Sequence, residues 1–253
     1  MIPVIIWAGT QTGANSFKEH LRFFNNETKE YRINHIDEIL SELNKSELDV
    51  SDLLKRLSID KWSFKYLFKS VKNYNRLLNK KLIIRLVHGY FDYEELDKII
   101  ETSFKYNYQH VFLYRESLFD QALGWFHEDY GIQYENELPL NDMMYAMDNF
   151  KKDLFYTYNY IKDKVNLNII SYETLYIRRE KDKIISLLDT LGFKNTSDQD
   201  IHKFIFNRYK HFEQGPKFKI DEEKGPISES IKHSYKKNFD ILYDIYCDEK
   251  IKL

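Results

Sequence analysis

Apolar residues along this chain fall into two alternating spacings. Short unbroken runs predict buried strands: "IPVIIW" at 2–7, "KLIIRLV" at 81–87, "HVFLYR" at 110–115 and "LNIISY" at 167–172. Between the runs, apolar positions recur at intervals of three and four, the period of a helix. Ala14, Phe17, Leu21 and Phe24 share one face of a helix starting near Asn15. Ile36, Ile39, Leu40 and Leu43 form a stripe, Ser51 caps "DLLKRL", and "WSFKYLFKSVKNYNRLL" follows at 62–78, so most of 35–80 is predicted helical. Asp92 stands as the N-cap of "DYEELDKIIETSF", and Leu118, Ala122, Trp125 and Phe126 line the next helix. A long helix over roughly 140–164 precedes the fourth strand. "RREKDKIISLLDTLGF" predicts a helix stopped by Gly192. After the loop "QGPKFKIDEEKGP", "ISESIKHSYKKNFDILYDIY" predicts a last helix.

Strands alternating with helices predict an α/β fold, a mostly parallel sheet flanked by helices on both faces, with helical insertions. The 253 residues, 43% of them hydrophobic, suit a single domain over 1–253, and no internal repeat or linker divides them. The formal net charge is −2, which gives no cation excess for non-specific nucleic-acid binding. Cys247 is the sole cysteine, so neither an internal disulfide nor a thiolate metal cluster forms. No run reaches the ~18 apolar residues of a membrane span. The N-terminus carries no basic leader, and a soluble, cytoplasmic chain is expected.

Ligands of parallel sheets bind beyond the carboxyl ends of the strands. Two features fall there, Arg115 and Gly9–Gly13, which opens the stretch "GTQTGANSF". In the frame of a mononucleotide-binding loop, GxxxxGK[ST], Gly9 and Ser16 fit, but Asn15 replaces the lysine that meets the β/γ-phosphates. ATP or GTP hydrolysis is therefore disfavoured. Main-chain amides at the start of the helix remain able to hold an anion. A plain strand-to-helix turn is the competing reading.

The blocks that follow bear on that choice. "GTQTGANSF" resembles the 5′-phosphosulfate loop of nucleotide-dependent sulfotransferases, roughly T-x-R-[ST]-G-[ST]-x-x-L, through Thr10, Thr12 and Gly13. "LYRESLFDQALGWF" is similar to that family's second signature, through Arg115, Gln121, Ala122 and Trp125. "YETL" at 172–175 resembles Y-E-D-L, "LLDTLGF" the helix and turn after it, and "GPISESIKHSYKKNFDIL" the C-terminal block. The blocks keep the family's order over residues 2–245 and sit closest to its bacterial and carbohydrate-directed branches. The resemblance implies a P-loop-kinase-like fold, 3′-phosphoadenosine 5′-phosphosulfate as sulfate donor, no metal, and a hydroxyl-bearing small molecule or glycan as acceptor.

Two departures stand out. The basic residue of the first loop is Gln11 or is deleted, and the serine that accompanies the arginine around the 3′-phosphate falls at Gly124, with Ser117 as a substitute only under a different helix start. On this resemblance Thr10, Gln11, Thr12, Gly13, Ala14, Asn15 and Ser16 hold the phosphosulfate, and Arg115, whose planar fork suits two phosphate oxygens, holds the 3′-phosphate. Lys217, Lys219 and Lys224 reach phosphates from the C-terminal loop. His88 is the first candidate for the base that removes the acceptor's proton, with Glu19 and Glu27 behind it. Arg85 is positioned to replace the lost cation, although strand parity separates it from His88 unless the strand ends between them.

Structural roles compete at each position: a strand-end ion pair for Arg115, a backbone hydrogen bond for His88, a solvated charge run for the lysines. His127, Glu128 and Asp129 are consecutive on a helix and cannot converge on a metal. Tyr156, Tyr158 and Tyr160 are candidates for stacking on sugar rings, in a chain with 20 tyrosines. Three readings stay open: a sulfotransferase, a catalytically degenerate relative that binds a nucleotide or sulfated ligand, and a P-loop kinase or NTPase.

Overall fold

The computed structural model describes residues 2–24, 83–129, 140–193 and 250–253. The helices expected over 35–80 and from 227 onward lie outside these residues. Within them run β1 (Val4–Ala8), α1 (Ala14–Phe24), β2 (Ile83–Leu86), α2 (Tyr93–Lys105), β3 (Gln109–Tyr114), α3 (Leu118–Asp129), α4 (Leu140–Ile161), β4 (Leu167–Ser171), a π-type turn (Glu173–Ile177) and α5 (Lys181–Thr190). The four strands form one all-parallel sheet in the order β2-β1-β3-β4. The coarse α/β expectation holds.

Strand periodicity splits the interior into two cores. Ile5, Trp7, Ile84, Leu86 and Phe112 face α2, α3 and α4. Their neighbours Val4, Ile6, Ala8, Ile83, Val111 and Leu113 face α1, the π-type turn and α5. Because both faces are covered, β1 is buried along its whole length, which is why it reads as an unbroken apolar run rather than an alternating one. β2 and β4 stand at the two edges of these four strands, and Ile169 on β4 is exposed.

Local chemistry sets the element ends. Asp92 accepts from the Glu95 amide at 2.9 Å while Glu95 accepts from the Asp92 amide at 3.1 Å, a complete capping box. α5 closes in a Schellman motif: Gly192 is left-handed at φ +91°, its amide donates to Asp189, and the Phe193 amide donates to Leu188. β3 stops one residue before Arg115. β4 stops at Ser171, whose hydroxyl takes the Thr174 amide at 3.1 Å and turns the chain at Tyr172. Among the described residues no helix is long and apolar enough to cross a membrane.

A buried polar relay crosses the first core. Trp7 Nε1 donates to His110 Nδ1 at 3.1 Å, Ser103 Oγ lies 2.9 Å from His110 Nε2, and Ser103 Oγ donates to the Ile100 carbonyl at 2.6 Å. Indole is donor-only, so Nδ1 accepts and the ring's proton sits on Nε2, pointing at Ser103. Burial pushes the imidazole down to about 4. Unfolded, the same ring binds its proton near pH 6.5, so its contribution is full above that pH and is lost as pH falls toward 4. Urea midpoints are expected to hold steady above pH 7 and to drop on acidification, with a share on the order of 3 kcal/mol from this histidine. His110→Asn should be less stable but show a shallower fall; identical slopes would contradict the assignment.

Candidate functional site

β2 lies on one side of β1 and β3 on the other. The chain leaving β1 turns to the α1 face, and the chain leaving β3 turns to the α3 face. Such a divergence opens a crevice at the carboxyl ends of the two central strands. The loop Gly9–Gly13 and Arg115 meet there.

Side chains from three other places hold three successive loop carbonyls. The Gly9 carbonyl accepts from Arg85 Nη2 of β2 at 2.9 Å and from the Thr12 hydroxyl at 2.9 Å. The Thr10 carbonyl accepts from Gln121 Nε2 of α3 at 2.8 Å. The Gln11 carbonyl accepts from Arg115 Nη1 at 3.1 Å. All peptide bonds here are trans, so each anchored carbonyl turns the next residue's N–H the opposite way. The backbone is left-handed at Gln11 (φ 55°) and Gly13 (φ 72°), on either side of Thr12. The first helical bond of α1 runs from the Phe17 amide to the Gly13 carbonyl at 3.0 Å, so the amides of Ala14, Asn15 and Ser16 precede the ladder. At Gly13 a β-carbon would also meet the rings of Tyr172 and Tyr176 at 2.9 Å, so space and conformation both demand glycine.

Arg115 is 2% exposed. Besides holding Gln11, its guanidinium lies 4.3 Å over the Tyr172 ring, and its Nε is 3.6 Å from Glu173 Oε1. Glu173 also receives the Glu116 amide at 2.9 Å and the Ser117 amide at 3.4 Å, capping the entry to α3. Burial pushes the Glu173 carboxyl up despite these donors. One residue on, Glu116 pairs with both arms of Arg178 at 2.8 and 2.6 Å, which holds its carboxyl below the usual range. "YETL" thus builds the seat of Arg115: Tyr172 is its floor and Glu173 its counter-ion.

His88 is buried and stacks on Phe112, ring centroids 4.4 Å apart. Its Nδ1 would lie 3.5 Å from a β-carbon at Gly9, and its Nε2 is buried with no hydrogen-bond partner. Burial pushes this imidazole down to about 3, with the charge of Arg85 acting in the same direction, so at neutral pH it is uncharged and weakly basic. β2 ends at Leu86, between Arg85 and His88, and both side chains reach Gly9 despite their parity. Burial also draws Arg85 down to about 10, leaving it a cation at neutral pH. Asp153 of α4 packs onto Gly89, and burial raises its carboxyl.

The structure therefore gathers Thr10, Gln11, Thr12, Gly13, Arg115, Arg85 and His88 around the loop after β1, ahead of the α1 start at Ala14–Ser16. The side chains of Asn15 and Glu19 are not among those described, and Glu27, Lys217, Lys219 and Lys224 lie outside the described residues. Tyr156 and Tyr160 stack on Tyr93, at 5.0 and 4.4 Å, beside a surface groove of about 430 Å³, while Tyr158 turns its edge to Phe112. Among the described residues no group of three or more His, Cys, Asp or Glu side chains is arranged to hold a metal ion. Comparison with protein-family models, curated proteins and solved structures finds no match.

Sequence reasoning matched Gln121 and Glu173 to motifs without seeing their tasks, and it missed Asp153. Glu173 was detectable as the acidic residue nearest the end of β4, one strand over from Arg115. Arg115→Met should cost about 3 kcal/mol or more in chemical denaturation, because it leaves Glu173 buried without its cation. Arg115→Met with Glu173→Gln should lose clearly less, and a double variant as unstable as the single would contradict the pairing.

Proposed function

We propose that this chain is a sulfotransferase of the nucleotide-dependent kind its motifs resemble, with the P-loop-kinase-like variant of the α/β fold. Loop Thr10–Ser16 holds the phosphosulfate of 3′-phosphoadenosine 5′-phosphosulfate. The observation that carries the reading is the anchoring of the Gly9, Thr10 and Gln11 carbonyls, which turns the Thr10, Gln11 and Thr12 amides the other way just ahead of α1. Arg85 and Arg115 add positive charge behind the same peptides, so the loop needs no lysine of its own.

In the transfer step an acceptor hydroxyl oxygen bonds to sulfur. The bond from sulfur to the bridging phosphate oxygen breaks, and its electron pair stays on the leaving phosphate. Loop amides steady that charge, and a base takes the hydroxyl proton. His88 is uncharged and has an open Nε2, but a ring held near 3 is a weak base until ligand and solvent alter its surroundings. In this reading Lys217, Lys219 and Lys224 close over the nucleotide, and Glu19 and Glu27 are alternative bases.

A second reading, binding without turnover, is favoured by Arg115. Its guanidinium is engaged by Gln11, Tyr172 and Glu173 and is almost wholly buried, so in this arrangement it braces the loop. The kinase or NTPase reading is weakened by Asn15 standing in the lysine's place.

Adenosine 3′,5′-bisphosphate at about 100 times its Kd should stabilise the fold by about 2.7 kcal/mol, seen as a rise in Tm, and ATP with Mg²⁺ should not. Labelled-sulfate transfer to a panel of glycans and lipids then separates turnover from binding alone. A Tm raised by ATP–Mg²⁺ and not by the bisphosphate would replace this reading with the kinase one.

A further inference from the structure

Asp153 and Gly89 share a contact that holding the sulfate donor does not explain. Gly89, in the turn after β2, is left-handed at φ +72°. A β-carbon there would stand 2.3 Å from both Cγ and Oδ1 of Asp153 and 2.7 Å from its Cβ. The Asp153 side chain therefore fills the place where any other residue would carry its own. One helical turn along α4, the buried Thr157 hydroxyl accepts from the Gly89 amide at 2.9 Å. Two successive positions on one face of α4 thus seat the turn: a hydroxyl that bonds its backbone and a carboxyl that does not.

The carboxyl is the unusual member. Asp153 is half-buried, and among the described residues no group donates a hydrogen bond to it and no side chain forms an ion pair with it. Burial raises the carboxyl, while the charge of Lys152, its neighbour on the same helix, acts the other way. The Gly89 amide, spent on Thr157, offers it nothing. An apolar or amide side chain would fill the space at less cost. A carboxyl kept unpaired beside a ligand crevice is the arrangement of a group that reacts.

Its place suits one task. Gly89 follows His88, whose ring reaches Gly9, the first residue of the loop. Asp153 therefore stands on the β2 side of the loop, while Arg115 and Gln121 hold that loop from β3 and the helix after it. Sulfuryl transfer needs a proton acceptor that an incoming hydroxyl can reach and that returns its proton to water. His88, 3% exposed and stacked on Phe112, is sealed from both. Asp153 is open to both.

We infer that Asp153 is the acceptor-side base, an inference that rests on the transfer reaction of the proposed function. The acceptor's O–H bond breaks and its proton passes to an Asp153 carboxylate oxygen. The electron pair released forms the new bond from oxygen to sulfur. The bond from sulfur to the bridging oxygen breaks, and its pair stays on the phosphate. After the products leave, the Asp153 proton passes to water.

The test is labelled-sulfate transfer from 3′-phosphoadenosine 5′-phosphosulfate by the full chain to the panel of glycans and lipids. Each variant is also melted and titrated calorimetrically with adenosine 3′,5′-bisphosphate. Asp153→Asn keeps the shape against Gly89 and removes the base. Transfer should fall about 100-fold or more, with bisphosphate affinity unchanged and Tm no lower than native. Asp153→Ala opens a space beside Gly89. It should lose as much and regain about tenfold in added formate, whose carboxylate supplies the missing base. If the native chain transfers sulfate and Asp153→Asn transfers it equally well, the inference is overturned and the sulfotransferase reading stands. If both variants lose transfer and melt lower, and formate restores nothing, Asp153 is a prop for the Gly89 turn and the inference is overturned. If the native chain binds the bisphosphate but sulfates no member of the panel, binding without turnover replaces the transfer reading and the inference falls with it.

Discussion

The arrangement at the head of this sheet depends on three peptide carbonyls being held from outside their own loop. Gly9, Thr10 and Gln11 cannot direct their carbonyls by local hydrogen bonding alone, because the residues come after β1 has ended and before α1 has begun. Arg85, Gln121 and Arg115 do it for them, from β2, α3 and the tip of β3. The sheet order makes this possible. With β2 and β3 flanking β1, their carboxyl ends bracket the loop, and α3 lies over it. Register, strand ends and loop conformation are therefore one problem, and a shift of β3 by a single residue would carry Arg115 to the other face.

The same contacts explain how a loop without a cationic side chain stays electropositive. Two guanidiniums sit behind it. Burying them is costly, and burial alone lowers Arg85 to about 10. Arg115 is compensated by Glu173 and by the face of Tyr172. Glu173 is in turn tied to the amides that open α3, and the neighbouring Glu116 is clamped by Arg178. Thus the two turns that meet at the crevice, one after β3 and one after β4, share a polar network. On the opposite sheet face the Trp7–His110–Ser103 relay fixes β1 against β3 and α2 without any charge.

Much of this was legible in the residues. The four strand runs and the described helices between them emerge from apolar spacing, most plainly in β1, where cover on both faces leaves no polar position to interrupt the run. The cap at Asp92 and the stop at Gly192 were readable for the same reason: each depends on one residue's own chemistry. The candidate site was legible as a place, since Gly9–Gly13 and Arg115 follow strands, but not as a bonding pattern. Arg115 reads as an anion grip from sequence, yet Tyr172 and Glu173, which bury it, come from a turn 57 residues away. The low basicity of His88 comes from burial, and after it from the charge of Arg85, and no single segment encodes that packing.

The central claim is that the peptides from Thr10 to Ser16 present their amides to an anion. Backbone ¹⁵N–¹H spectra of the labelled chain, titrated with adenosine 3′,5′-bisphosphate and separately with inorganic sulfate, test it most directly. The account predicts the largest downfield amide-proton shifts at Thr10 through Ser16, saturating together. Shifts that saturate elsewhere, with these amides unmoved, would contradict it.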